Sequence, residues 1–215
     1  FFETLYRFPA YDPRLTDLFY AVPLGLIGGA VGLLFMISLQ RLKGFFEIMK
    51  SRVVVRGVVG GLGMGLIGAF LPLTLFSGES ETVDLIAGSA EIGVAMLIVL
   101  AFAKLFATSL LLSTGWKGGY IFPIMFSGVA LGMALSLLFP GIPVPVAVAA
   151  TMAGVLVAAL KAPLFAALFT LALVQKETGA VIAIAVVVSA LLTALLALWN
   201  ARRAAANAPI VNPTS

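Results

Sequence analysis

Residues 115–123 read Gly115-Trp-Lys-Gly-Gly-Tyr-Ile-Phe-Pro123. One apolar run ends just before them, at Leu112, and another continues from them to about Phe139. Irregular backbone between membrane-length apolar runs is costly unless protein buries it or a polar cavity receives it. Pro123 suits the first turn of a helix, where its missing N–H is no loss. Gly118 and Gly119 let the backbone turn sharply and approach a ligand closely. The stretch predicts a helix start from which the N–H groups of Tyr120, Ile121 and Phe122 point outward. Such an end has positive dipole character and receives anions.

Composition sets the class. Of 215 residues, 62% are hydrophobic and only 10% are charged. Runs this long and continuous predict an all-α polytopic membrane protein, whereas a β-barrel would show short alternating segments. The net charge of +4 is assigned to Lys and Arg of cytoplasmic loops rather than to a nucleic-acid footprint. The chain has no cysteine and no histidine. That removes disulfides, thiol chemistry, histidine bases and the usual zinc or haem ligands. No Ser–Lys or paired-Asp pattern lies within the spans, so no enzyme is expected. The first residue is Phe1, and the expectation is a piece of a longer protein.

Residues 1–18 read as an interfacial loop, with Phe1, Phe2, Tyr6, Phe8, Tyr11, Phe19 and Tyr20 suited to the headgroup belt and a loop packed on the protein as the alternative. Residues 19–199 read as the transmembrane domain and 200–215 as a cytoplasmic tail. The first span, 19–40, carries Gly25-x-x-x-Gly29 and Gly28-x-x-x-Gly32, a pattern for close helix packing. Arg41, Lys43, Lys50, Arg52 and Arg56 follow and place that end in the cytoplasm. A second, glycine-rich span covers 53–76. Glu79, Glu81, Asp84 and Glu91 read as a solvated loop rather than a cation site, since metal-ligand spacing is missing. Residues 83–90 are too short to cross. Residues 92–112 are long enough but hold Lys104 near the middle. A lysine there costs ~2.5–3.5 kcal/mol on insertion scales, so it is expected to face the protein interior or water, in a structural ion pair rather than in direct contact with a transported ion. Further apolar segments cover 121–139, 146–160, 164–175 and 180–199, and Arg202 and Arg203 follow. Short segments broken by Gly or Pro point to a transport site near the midplane.

One helix end cannot hold a bare anion. Its dipole contributes ~0.3–2 kcal/mol and a charge-assisted N–H bond ~1.5–3 kcal/mol. Removing a monovalent ion from water costs on the order of tens of kcal/mol in an apolar medium. Several donors, residual water or a nearby cation must converge. Lys117 could supply the charge, against the plainer reading of an ion pair or of snorkelling to the surface. Few other donors lie close (Ser109, Ser113, Thr114, Tyr120), which predicts that another polypeptide segment completes the site.

The stretch Ser113-Thr-Gly-Trp-Lys-Gly-Gly-Tyr-Ile-Phe-Pro123, followed by Gly128-x-x-x-Gly132, resembles the Gly-Gly-x-Phe-x-Pro region of the CLC family of chloride channels and chloride/proton antiporters. Ala153-Gly154 and then Ala158-Ala-Leu-Lys-Ala-Pro-Leu164 resemble that family's Ala-Gly…Ala-(Arg/Lys)-Ala-Pro-Leu segment, and Ala103-Lys104 falls where the family commonly has an alanine–basic pair. The resemblance covers about residues 19–199. It implies a bundle of tilted, partly discontinuous helices, the second of two inverted halves, in a multi-pass protein of the plasma membrane. It implies chloride or a similar small anion as transported ligand, with no cofactor or metal, and possible proton coupling. The anion would be held at Gly118, Gly119, Tyr120, Ile121 and Phe122, by the N–H groups of Tyr120 and Ile121 above all, with Pro123 at the helix start and Lys117 and Lys104 as nearby charges. It implies a homodimer through residues 164–199. Departures are specific. Ile121 stands where the family has phenylalanine, Phe122 takes the variable place, Lys117 replaces a proline, Ala172 replaces a common glutamate, and no tyrosine follows Tyr120. The family's serine loop, gating glutamate and proton glutamate belong to the first half, so channel and antiporter stay open. A non-transporting scaffold or half-subunit that needs a partner segment is the alternative.

Overall fold

The computed structural model describes Tyr6, Phe8 and residues 11–206, with the backbone only of Ala205. Among these residues the chain forms seven α-helices and no strand. They are α1 (Leu15–Glu47), α2 (Val53–Phe70), α3 (Glu79–Ser113), α4 (Ile121–Leu138), α5 (Val144–Leu160), α6 (Pro163–Leu173) and α7 (Gly179–Ala206). Single 3-10 turns at Pro72–Thr74 and Lys176–Thr178 precede α3 and α7. Five of the helices, all but α5 and α6, are long and apolar enough to cross a membrane.

Helix boundaries follow local chemistry. Asp17 lies in the first turn of α1 and accepts the Arg14 N–H at 2.8 Å and the Tyr11 hydroxyl at 2.5 Å. The second span ends at Phe70, short of the expected residue 76, because Pro72 opens a 3-10 turn. Residues 83–90 and 92–112 belong to one long helix, interrupted at Gly93 (φ 76°, ψ 161°). The expected acidic loop is instead helical: Glu79 and Glu81 lie in the first turn, Asp84 and Glu91 further along, and Glu81 accepts the Gly78 N–H at 3.0 Å. Helix α5 stops at Lys161, which adopts the left-handed conformation (φ 55°), and Pro163 then starts α6. The last helix carries Arg202 and Arg203 within it, so the tail expected from 200 begins as helix; residues 207–215 lie outside the described residues.

Helix α5 is the centre. Every residue from Pro145 to Ala159 is buried. It packs on α1, α4, α6 and α7. A Cβ at Gly28 would meet the Thr151 carbonyl and Gly154, and one at Gly32 would stand 2.5 Å from the Val155 carbonyl. A Cβ at Gly25 would stand 2.8 Å from Ala185 Cα, and one at Gly29 the same distance from Ser189 Oγ. Both series advance together, so α1, α5 and α7 run parallel. Arg41, Lys43, Lys161, Arg202 and Arg203 therefore gather at one end of the bundle. Gly128 meets Met152 while Gly132 meets Val148, so α4 is antiparallel to α5. Lipid tails are as apolar as leucine, so close backbone packing and interhelical hydrogen bonds hold such helices together. Thr151 Oγ1 donates to the Gly128 carbonyl, and Ser189 Oγ to the Gly154 carbonyl, each at 2.8 Å.

The N-terminal aromatics divide. Tyr6 and Phe8 are buried, and the Tyr6 hydroxyl lies 3.7 Å from Met125 Sδ. Gln175 Nε2 donates to the Phe8 carbonyl at 3.2 Å. These two pack on the protein rather than in the headgroup belt, and burial pushes the Tyr6 phenol up to about 12. Phe19 is exposed. Tyr11 and Tyr20 are half-buried, and Phe1 and Phe2 lie outside the described residues.

Candidate functional site

The loop between α3 and α4 is fixed at its start. The Thr114 hydroxyl closes the end of α3 by donating to the Leu110 and Leu111 carbonyls at 2.9 and 3.0 Å. Gly115 then reverses the chain at φ 98°, a conformation that favours glycine. The sharp turn expected at Gly118 and Gly119 is made here instead. Two side-chain bonds tie the turn to the start of α2. Arg56 Nε donates to the Thr114 carbonyl at 3.2 Å, and Trp116 Nε1 to the Gly57 carbonyl at 3.0 Å. Neither contact was foreseen. Arg56 looks like one more loop cation in the sequence, and main-chain acceptors leave no residue pattern.

Gly118 and Gly119 are exposed, and a Cβ added at either would touch nothing within 4 Å. Helix α4 follows, with Tyr120 at its cap and Ile121 as its first residue. The first bond of the helix runs from the Ile124 N–H to the Tyr120 carbonyl at 3.0 Å. Pro123 brings no donor, so the Ile121 and Phe122 N–H groups are left without an internal partner among the described residues. The flanking side chains are engaged elsewhere. The Tyr120 ring packs on Phe35 of α1 at 5.7 Å between centroids, and Phe122 on Phe169 of α6 at 6.3 Å.

Beside the loop lies a cavity of about 260 Å³. Lys117, Gly118, Gly119 and Pro123 line it together with Thr74, Phe76 and Ser77 after α2, Met64 of α2 and Thr108 of α3. Its size suits a small hydrated ion better than a drug-sized molecule. Among the described residues Lys117 is its one charged lining residue, and no carboxylate lines it. Tyr120, Ile121 and Phe122 are not among the lining residues. The structure thus brings Lys117, Gly118, Gly119 and Pro123 to one cavity and sets the other three residues on the helix start next to it.

Lys104 departs from expectation. It is buried, at 1% exposure, without a carboxylate within ion-pair distance among the described residues. Its ammonium donates to three main-chain carbonyls, of Thr74 at 3.0 Å, Leu75 at 2.8 Å and Phe76 at 3.1 Å. The Phe126 ring lies 5.2 Å from it. Carbonyls replace the expected ion pair because they bring three acceptors without a second charge to desolvate. Among the described residues no group of His, Cys, Asp or Glu could hold a metal ion, and Glu79, Glu81, Asp84 and Glu91 form no such cluster.

Membrane-length helices, two short apolar helices packed among them and a loop-borne helix start define an integral, multi-pass α-helical membrane protein. The chain belongs to the voltage-gated chloride channel family, Voltage_CLC, whose model matches residues 1–195. It is 35% identical over 123 residues to a protein of Escherichia coli O1:K1 named YfeO and provisionally described as an ion-transport protein. Relatives of the same name from Escherichia coli K12 and from Shigella boydii serotype 18 are 34% identical over 123 residues. Each alignment covers 57% of this chain and 29% of the relative.

Proposed function

We propose that the complete protein moves chloride or a similarly small anion across the membrane, with the anion held where α4 begins. The observation that carries this reading is the pair of N–H groups at Ile121 and Phe122, unpartnered among the described residues, beside a cavity whose described lining contains Lys117 and no carboxylate. Gly118 and Gly119 support it as well. Neither has a positive φ or a crowding neighbour within the chain. Bare backbone at an exposed site is what a ligand approached by main chain would use. The Tyr120, Ile121 and Phe122 amides are the proposed donors, and Pro123 sets the helix start. A segment outside this chain supplies the remaining donors, and two copies of the whole protein associate through residues 164–199.

Chloride efflux from liposomes, with the complete protein and with or without a pH gradient, tests this. Efflux that drives protons uphill identifies an antiporter, and efflux without proton movement identifies a channel. Absence of any anion flux overturns the reading in favour of a scaffold.

A further inference from the structure

The Lys104 contact is more than a buried lysine finding acceptors. The carbonyls of three successive residues, Thr74, Leu75 and Phe76, converge on one point at 2.8–3.1 Å. They use all three donors of an ammonium. The convergence is bought with backbone strain, since Phe76 adopts the left-handed conformation at φ 54°. The Phe126 ring covers a further side at 5.2 Å. Gly78 closes the back: a Cβ there would stand 3.2 Å from Lys104 Cε and 3.2 Å from Phe126 Cβ. Three carbonyl oxygens aimed at one spot repel one another unless a cation occupies it. The distances exceed the 2.3–2.6 Å typical of calcium, and suit a larger monovalent ion of the kind that carbonyl rings bind.

We propose that Lys104 is a positioning residue: its ammonium is the resident cation of a three-carbonyl cage that fixes the Thr74–Ser77 wall of the cavity. A free monovalent cation of potassium or small alkylammonium type takes its place once the lysine is shortened. Thr74, Phe76 and Ser77 line the same cavity as Lys117, Gly118 and Gly119. The resident cation also cancels carbonyl dipoles that would otherwise be uncompensated beside an anion. That the wall matters for transport rests on the anion-path reading; the cage itself does not.

The test uses the complete protein with its native cysteines removed and Thr74→Cys, a buried wall position, as its sole thiol; this chain itself contributes none. Maleimide labelling of that thiol reads the wall, and chloride efflux reads transport. Lys104→Ala is expected to raise the labelling rate about tenfold in N-methylglucamine, as loss of a charged hydrogen-bond set implies. Potassium or methylammonium should bring the rate back towards the parent value, and efflux should recover in parallel. Lys104→Met keeps the stem and loses the charge, and it serves where Lys104→Ala does not fold. Its labelling should rise and stay high in every cation, because the stem fills the cage. Labelling at the parent rate in both variants overturns the proposal, as does recovery of Lys104→Ala by all cations alike or by none. Cation-dependent labelling in a protein whose parent passes no anion supports the cage and removes only the transport reading.

Discussion

Helices α5 and α2 are nearly equal in length, at 17 and 18 residues, and both are apolar. Their surroundings are opposite. From Pro145 to Ala159 α5 is wholly buried, whereas Gly60 and Gly68 are the only buried residues of α2. The difference lies in what their small residues meet. Backbone of α1 and α4 fills the space beside α5, leaving no room for an added methyl at Gly28, Gly32, Gly128 or Gly132. Beside α2, Gly57 and Gly65 face nothing within 4 Å, and its main contacts are with α3 and the Pro72–Thr74 turn. Hydropathy says that a segment leaves water, but it does not say whether protein or lipid receives it. Met64 of α2 lines the candidate cavity, where a segment outside this chain is proposed to complete the site.

The largest expected effect breaks the packed side of this comparison. Gly32→Val should destabilise the protein by more than about 3 kcal/mol, beyond ordinary overpacking, because the added atoms meet main chain rather than a movable side chain. Thermal unfolding in detergent measures it, and a melting temperature near the parent's would show that α1 can slide along α5. Gly119→Val should abolish efflux while leaving the melting temperature unchanged, since it touches nothing within the chain. Normal flux in that variant would remove the loop from the anion path. Arg56→Met should cost about 1–3 kcal/mol by leaving the Thr114 carbonyl without its charged donor, and should lower efflux by freeing the loop from α2. Tyr120→Ala should reduce efflux modestly, because the main-chain amide remains. The smallest effect sharpens the open side: Gly65→Ala should stabilise by about 0.5–1 kcal/mol through helix propensity alone. A loss of efflux without loss of stability in this variant would reveal a partner segment seated on α2.

Much of this was legible in the sequence, for definite reasons. Prolines and glycines marked the ends of α4, α5 and α6, and the glycine spacing of α1 announced close helix packing, though not that α5 and α7 are the partners. Interruption near residue 91 was legible too, and the structure puts it at Gly93. The candidate site was legible as a loop and a helix start. Its support was not. The turn belongs to Gly115 rather than to the adjacent glycine pair, and Arg56 and Trp116 fix it through carbonyl oxygens. Lys104 illustrates the same limit. Its charge and depth could be read, but its partners are carbonyls, which every residue carries. The contrast between α2 and α5 was hidden because it depends on neighbours rather than on either segment.

The order of the lysine and its acceptors along the chain has a consequence for biogenesis. Lys104 follows the three residues that hold it by 28 to 30 positions. A ribosome working from the N-terminus delivers the carbonyls first and the ammonium afterwards. When α3 emerges, the oxygens that will receive its charge have already been made, so the lysine can pass from the translocon to the Thr74–Phe76 carbonyls without an interval alone in lipid.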